Sequence, residues 1–381
     1  METILTASLQ RARGEGGNRR AILGAALSMA MTGIGLESVA GKKKRRKKKK
    51  KKGRGAGGNG GGGAGNECQF EICNGQCVDI ATDPNNCGSC GHQCAAGEVC
   101  RLDFCVSEVN AITGAFGLAV TGNNAFAVTS TEIGNIRLIE NTTRVDAFDV
   151  PGPVQGGEAL PTGIAFDTGE GSYVVLDTAN SRVIRLDGEG RFAREFGGFG
   201  SGQGQFEFPE GVAIDPETGQ IFVLDTGNGR VQRFNSNGFF LGQFGRAGSA
   251  EGQFQQPRGI AIDAGRNVVV ADTGNNRVQI LDRNGNVLRV LGSTGNGNGE
   301  LNAPTGVSLM SSGTIVVADT GNNRVQFFNP DGTFAGKVGR GGTDLGEFTA
   351  PTAAVEISDS TFAIADQGND RVQVLNLVPR P

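Results

Sequence analysis

The sequence predicts an all-β fold: a six-bladed β-propeller preceded by a small disulfide-rich module and a disordered basic and Gly-rich tail. Three observations predict it. The octapeptide DTGNNRVQ occurs at residues 272–279 and again, unchanged, at 319–326. Related octapeptides recur from Glu132 onward on a step of about 47 residues. All eight cysteines fall between Cys68 and Cys105, ahead of the repeats.

A fixed period of this length marks stacked or radially arranged units. DTANSRVI starts at Asp177, DTGNGRVQ at Asp225, DQGNDRVQ at Asp366, and a weaker copy, EIGNIRLI, at Glu132. The arginines of the six copies are Arg137, Arg182, Arg230, Arg277, Arg324 and Arg371, at spacings of 45, 48, 47, 47 and 47. A second landmark keeps the same step: FGLAV with Gly117, PTGIAFD with Gly163, PEGVAID with Gly211, PRGIAID with Gly259 and PTGVSL with Gly306. In the last copy, PTAAVEI, Ala353 replaces the glycine.

Within one unit, GIAID, NVVVAD, RVQILD and NVLRVLG are short alternating or β-branched runs, as strands require. Asn284-Gly285 divides the third from the fourth, and Asn237-Gly238 and Asp331-Gly332 do so in neighbouring copies, as tight hairpins demand. Four antiparallel strands repeated six times make a propeller whose blades pack around an axis. The last copy ends near Leu375, leaving too few residues for its fourth strand. Residues 106–112, VSEVNAI, are therefore expected to supply that strand, closing the ring and removing an exposed edge.

The pattern P-x-G-[IV]-A-[IV]-D followed by D-T-G-N-x-R-V-Q resembles the NHL repeat, over residues 112 to 375. The absence of tryptophan excludes the WD repeat. Within each octapeptide the acid can accept turn amides and the arginine five residues on can bridge to it or to the next blade. Glu132, Arg137, Asp177, Arg182, Asp225, Arg230, Asp272, Arg277, Asp319, Arg324, Asp366 and Arg371 are accordingly assigned to scaffold. A position filled alike in every blade discriminates poorly between ligands. The candidate ligand face is drawn from positions that differ: Ser181, Asn276, Asn323 and Asp370 inside the octapeptide (with Ile136 and Gly229 as their counterparts), and Thr162, Glu210, Arg258, Thr305 and Thr352 after the blade proline. These side chains suit hydrogen bonding to a peptide or glycan.

The cysteines, Cys68, Cys73, Cys77, Cys87, Cys90, Cys94, Cys100 and Cys105, are spaced too unevenly for the paired ligands of a zinc module. An even number at this density predicts four disulfides and an oxidising compartment, with the pairing left open. The run from GQCVD through DPNNCGSCGHQC resembles the small cysteine-rich modules of the stigma-specific-protein type, which implies an extracellular location and no enzymatic activity.

Charge is segregated along the chain. Residues 1–54 hold 16 basic and 3 acidic residues, whereas residues 55–381 hold 20 basic and 36 acidic, a net of −16. The run KKKRRKKKKKK, residues 42–52, contains every lysine except Lys337. It reads as an electrostatic tether to an anionic polymer or membrane surface, carried on the flexible segment 53–66. Arg19-Arg20, the apolar run Ala21–Leu36 and Ser38-Val39-Ala40 resemble a twin-arginine export signal ending at residue 40. The basic run also admits a cytoplasmic or nuclear alternative.

The expected organisation is thus a signal at 1–40, a linker at 41–66, a disulfide module at 67–105 and a propeller at 106–381, monomeric and secreted or envelope-associated, from a bacterial source. Residues 106–381 contain no histidine and no cysteine, which excludes Ser-His-Asp and Cys-His nucleophile arrangements there. With 19 basic and 30 acidic residues, this region also disfavours nucleic acid. The reading is a non-enzymatic binding or scaffold protein with no catalytic residue, cofactor or metal. A calcium-dependent lactonase-like hydrolase and a structural envelope protein are the alternatives.

Overall fold

The computed structural model describes residues 71–377, apart from 74–75, 80–81, 88–92, 95, 102–103, 110–111, 123 and 154–155. The expected export signal, the lysine run and the Gly-rich segment lie outside the described residues.

Four strands come from the module and its exit: β1 (Glu71–Cys73), β2 (Gln76–Val78), β3 (Val99–Arg101) and β4 (Phe104–Val109). Blade 1 is β5 (Ala115–Gly122), β6 (Ala125–Ser130), β7 (Asn135–Glu140) and β8 (Thr143–Asp149). Blade 2 is β9 (Pro161–Asp167), β10 (Ser172–Asp177), β11 (Arg182–Leu186) and β12 (Phe192–Gly197). Blade 3 follows with β13 (Gly211–Ile214), β14 (Ile221–Asp225), β15 (Arg230–Phe234) and β16 (Phe240–Phe244). Blade 4 holds β17 (Gly259–Ile262), β18 (Val268–Asp272), β19 (Arg277–Leu281) and β20 (Val287–Leu291), and blade 5 holds β21 (Gly306–Leu309), β22 (Ile315–Asp319), β23 (Arg324–Phe328) and β24 (Phe334–Val338). Blade 6 has β25 (Pro351–Ser358), β26 (Thr361–Asp366) and β27 (Arg371–Asn376). Blades 1 to 5 are antiparallel meanders in sequence order.

The closure follows the sequence expectation. β4 pairs antiparallel with β27, Val372 opposite Val109 and Asn376 opposite Cys105, and so completes blade 6. The strand starts two residues earlier than 106, and β3 adds to its far side as a fifth strand. The disulfide module therefore runs into the last blade, with no linker at 105/106. Cys87–Cys100 and Cys94–Cys105 are disulfide-bonded, with Cα separations of 5.5 and 5.3 Å. Cys68 and Cys90 lie outside the described residues.

The core lies between blades. Six buried clusters each join two neighbouring blades: Phe222, Leu224, Val231 and Phe244 of blade 3, for example, pack against Ile260, Val268, Val270 and Leu281 of blade 4. Phe206, Phe254, Leu301 and Phe348, from the Gly-rich loops that link consecutive blades, are fully buried. Both faces of every inner sheet are thus covered, which explains the unbroken burial of β10, β14, β18 and β22.

Candidate functional site

The octapeptide forms the turn between the second and third strands of a blade, on the end that carries the P-x-G landmark. In blade 5, Asp319 is fully buried and its Oδ2 accepts from Arg324 Nε at 2.7 Å, Asn322 Nδ2 at 2.9 Å and Gln326 Nε2 at 3.0 Å, while Oδ1 accepts from Asn302 N at 2.8 Å. Arg324 then donates to the carbonyls of Asn296, Gly297 and Glu300, and Asn322 to that of Gly295, all in the incoming inter-blade loop. Aspartate, arginine, asparagine and glutamine together clamp the loop that enters their own blade. The same ion pair joins Asp177–Arg182, Asp225–Arg230, Asp272–Arg277 and Asp366–Arg371.

Blade 1 departs from this scheme. The register pairs Ser130 with Asn135 at the place where Asp177 pairs with Arg182, so Glu132 and Arg137 sit two residues beyond the equivalent positions. Their letters match the octapeptide but the strand geometry does not. Arg137 is instead an in-strand residue opposite Val128, its charged form disfavoured by burial and by Arg144.

The residue just before the octapeptide arginine has a conformational duty. Ser181, Asn276, Asn323 and Asp370 have φ of 54°, 53°, 54° and 53°, and Gly229 has 62°. This left-handed position favours Asn, Asp and Gly. Three of the side chains also reach the next blade: Asn276 Oδ1 accepts from Ala303 N at 2.7 Å, Asn323 Oδ1 from Ala350 N at 2.8 Å, and Asp370 Oδ1 from Gly114 N at 3.0 Å. Ile136 lies inside β7, not in the turn.

The other set of candidates lines the axis. Phe116, Thr162, Glu210, Arg258, Thr305 and Thr352 begin the six innermost strands and are all buried. The glycine that follows is required by proximity: a Cβ on Gly163, Gly211, Gly259 or Gly306 would lie 2.4 Å from the carbonyl oxygen of Glu210, Arg258, Thr305 or Thr352 in the next blade. The inner strands thus converge backbone to backbone, and Ala353 takes the glycine's place in blade 6.

Most of this ring is internally satisfied. Thr162 and Thr178 share a 2.6 Å hydroxyl contact, and Thr305 and Thr320 do the same. Thr352 donates to the Phe116 carbonyl at 2.9 Å. Glu210 and Arg258 differ. Their charged groups meet only at 3.4 Å, Nε to Oε2, a contact too long and bent to be a hydrogen bond. Glu210 Oε2 and Arg258 Nη1 are buried without a hydrogen-bond partner. Burial pushes the Glu210 carboxyl above its usual range, and the Arg258 charge only partly opposes this. The pair can therefore offer an acceptor and a donor side by side.

Among the described residues, one group of three His, Cys, Asp or Glu ligand atoms is close enough to hold an ion: Cys87, Cys94 and Cys105, all in disulfides. No described helix is long and apolar enough to cross a membrane.

A closed ring of six antiparallel blades, clamped by repeated Asp-Arg turns and centred on a small polar ring, defines a β-propeller of the repeat-built class. The repeats are NHL repeats: the NHL repeat family matches residues 206–234, 254–281 and 301–328. The Stigma-specific STIG1-like protein family matches residues 49–108, so the cysteine-rich segment is a STIG1-like domain. No curated protein matches the chain in sequence. Among solved structures, virginiamycin B lyase from Staphylococcus aureus is 13% identical with a TM-score of 0.51, covering 72% of this chain and all of the lyase. A gluconolactonase from Xanthomonas campestris is 15% identical with a TM-score of 0.54, covering 72% and 90% of the two chains. A protein of unknown function from Bacteroides thetaiotaomicron, 15% identical, has a TM-score of 0.57 over 71% of this chain and 75% of its own. At these identities the likeness is one of fold, shared by enzymes and non-enzymes alike.

Proposed function

We propose that this protein is an exported, non-enzymatic binding protein that presents the axial mouth of its propeller to a protein ligand and is held at an anionic envelope surface by residues 42–52. The observation that carries the reading is the Glu210–Arg258 pair. It is the one place on the axial ring where neighbouring side chains leave a buried acceptor and a buried donor unused. A residue of an extended peptide, whose own N–H and C=O point to the same side, matches both. The NHL architecture supports the role of scaffold, and the disulfides support an oxidising, extracellular setting.

The test replaces the pair by apolar residues of similar volume, E210L with R258M, in the full chain. Capture of envelope and culture-fluid proteins from the producing organism is then compared with that of the unmodified protein. Loss of a specific partner with the fold intact supports the axial reading, and equal capture sinks it. Stoichiometric calcium together with lactone hydrolysis would overturn the non-enzymatic assignment. Retention on envelope fractions should fall with salt and vanish when residues 42–52 are deleted.

A further inference from the structure

At the opposite end of the boundary between blades 3 and 4, two arginines pair with one buried aspartate, and a third, Arg233, feels the charge of one of them, Arg283. Asp215 is fully buried and accepts from Arg266 Nη2 at 2.8 Å, while Arg283 Nη2 approaches it at 3.0 Å. Arg266 also pairs with Glu217 at 3.0 Å, and Arg283 donates to Gln220 Oε1 at 2.7 Å. The third, Arg233, lies over Gly242 in the adjacent strand, and its side chain makes no hydrogen bond or ion pair among the described residues. The Nε atoms of both Arg233 and Arg283 are buried without a partner. The neighbouring carboxylates are already engaged, Asp263 by Asn267 and Asp282 by Asn284 and Asn286. Arg266 and Arg283 thus take the ion pairs of Asp215 and Glu217, and Arg233 forms none among the described residues.

Blade 2 shows what this position looks like when it is satisfied. Arg185, three residues after its octapeptide arginine as Arg233 is, pairs with Asp167 and Glu170 and donates to Ser172 Oγ and to the Ser236 carbonyl. In blade 3 the same spacing substitutes Thr218 for Glu170, gives Asp215 and Gln220 to the arginines of blade 4, and puts Arg283 where Ser236 stood. Arg233 thus has none of the ion pairs that Arg185 makes, among the described residues.

We infer that Arg233 and Arg283 form a binding site for a singly charged oxyanion group, such as a sulfate ester, phosphodiester or carboxylate. Two guanidinium groups with free Nε donors suit an acceptor with two or more oxygens. One oxyanion charge would supply the counterion that Arg233 lacks.

The experiment follows the arginine Nε–H signals of the full chain by NMR during titration with methyl sulfate, sodium sulfate and sodium chloride at fixed ionic strength. The Arg233 signal is assigned by its loss in R233Q. It should shift saturably with methyl sulfate, roughly tenfold more tightly than with chloride. Equal affinity for methyl sulfate and sulfate assigns a pendant group, and a response to free sulfate alone assigns a free ion. In T218E, which restores the carboxylate of blade 2, the response should disappear while the protein gains thermal stability. A linear shift that is the same in all salts, or a saturable response that survives in T218E, overturns the inference.

Discussion

Replacing Asp319 by asparagine isolates what the octapeptide does. The amide has nearly the shape of the carboxylate but carries two donors on one end. Whichever way it turns, those donors meet other donors: Arg324, Asn322 and Gln326 at one oxygen, Asn302 N and Asn322 at the other. Arg324, 7% exposed at its side chain, loses its counterion. Breaking a buried pair from one side costs about 3–5 kcal/mol. Arg324 keeps its three loop carbonyls, so the lower end, about 3 kcal/mol, is expected. For a domain of this size, each kcal/mol moves the midpoint by about 2 °C, giving a fall of about 6 °C by calorimetry. D272N should cost somewhat less, because Arg277 is twice as exposed, 14% against 7%. A shift under about 2 °C, or loss of partner capture at unchanged stability, would falsify the scaffold argument.

Three further outcomes follow from the geometry. Val106→Ala, in the closing strand and packed with Phe362 and Leu375, should lose about 2 kcal/mol in chemical denaturation; an unchanged midpoint would show that the strand does not help close the ring. G211A, whose Cβ would lie 2.4 Å from the Arg258 carbonyl, should lose about 2 kcal/mol or more, whereas G336A, with open space around it, should gain about 0.5 kcal/mol; equal effects would refute the axial packing account. The last concerns pH. Burial raises the Asp215 carboxyl, but hydrogen bonds from Arg266, Thr218 and the Glu217 amide, with the Arg266 charge, outweigh it and hold the group below the ordinary 3.8. Its contribution is present above pH 3.8 and lost as pH falls through the lower folded value, so D215N should flatten the acid limb of a urea stability profile. Glu210 is raised above 4.5, so its contribution is present below that value and lost as pH rises through the folded one; E210Q should remove that loss, and a profile unchanged by both variants would contradict the two assignments.

The propeller was legible because its landmarks repeat at one step and its strands alternate, and the closing strand was legible because the last copy lacks one. What was not legible depended on neighbours. EIGNIRLI matched the octapeptide in letters, but strand pairing is set by side-chain alternation and turn geometry, and these place Ser130 and Asn135 at the equivalent positions. The variation at Ser181, Asn276, Asn323 and Asp370 looked like ligand specificity. The same positions carry a left-handed backbone and, in three copies, a link to the following blade. The role of the P-x-G glycine needed the distance to the next blade, which no single repeat contains. Arg185 and Arg233 read identically in sequence, and only the partners taken from Arg233 by blade 4 distinguish them.

Glu210, Arg258, Arg233 and Arg283 lie at the two ends of one boundary, between blades 3 and 4, and the sign of a stability change separates them from the clamps. An internally paired charge contributes to folding, so its removal destabilises. A buried charge without a full set of partners costs stability, and apolar replacement or added pairing is neutral or stabilising. D319N should therefore weaken the fold and spare recognition. E210L with R258M, and independently T218E, should spare or strengthen the fold and abolish what the respective end binds. A boundary at which both kinds of substitution weakened folding equally would be scaffold throughout, and the ligand would have to be sought on another blade.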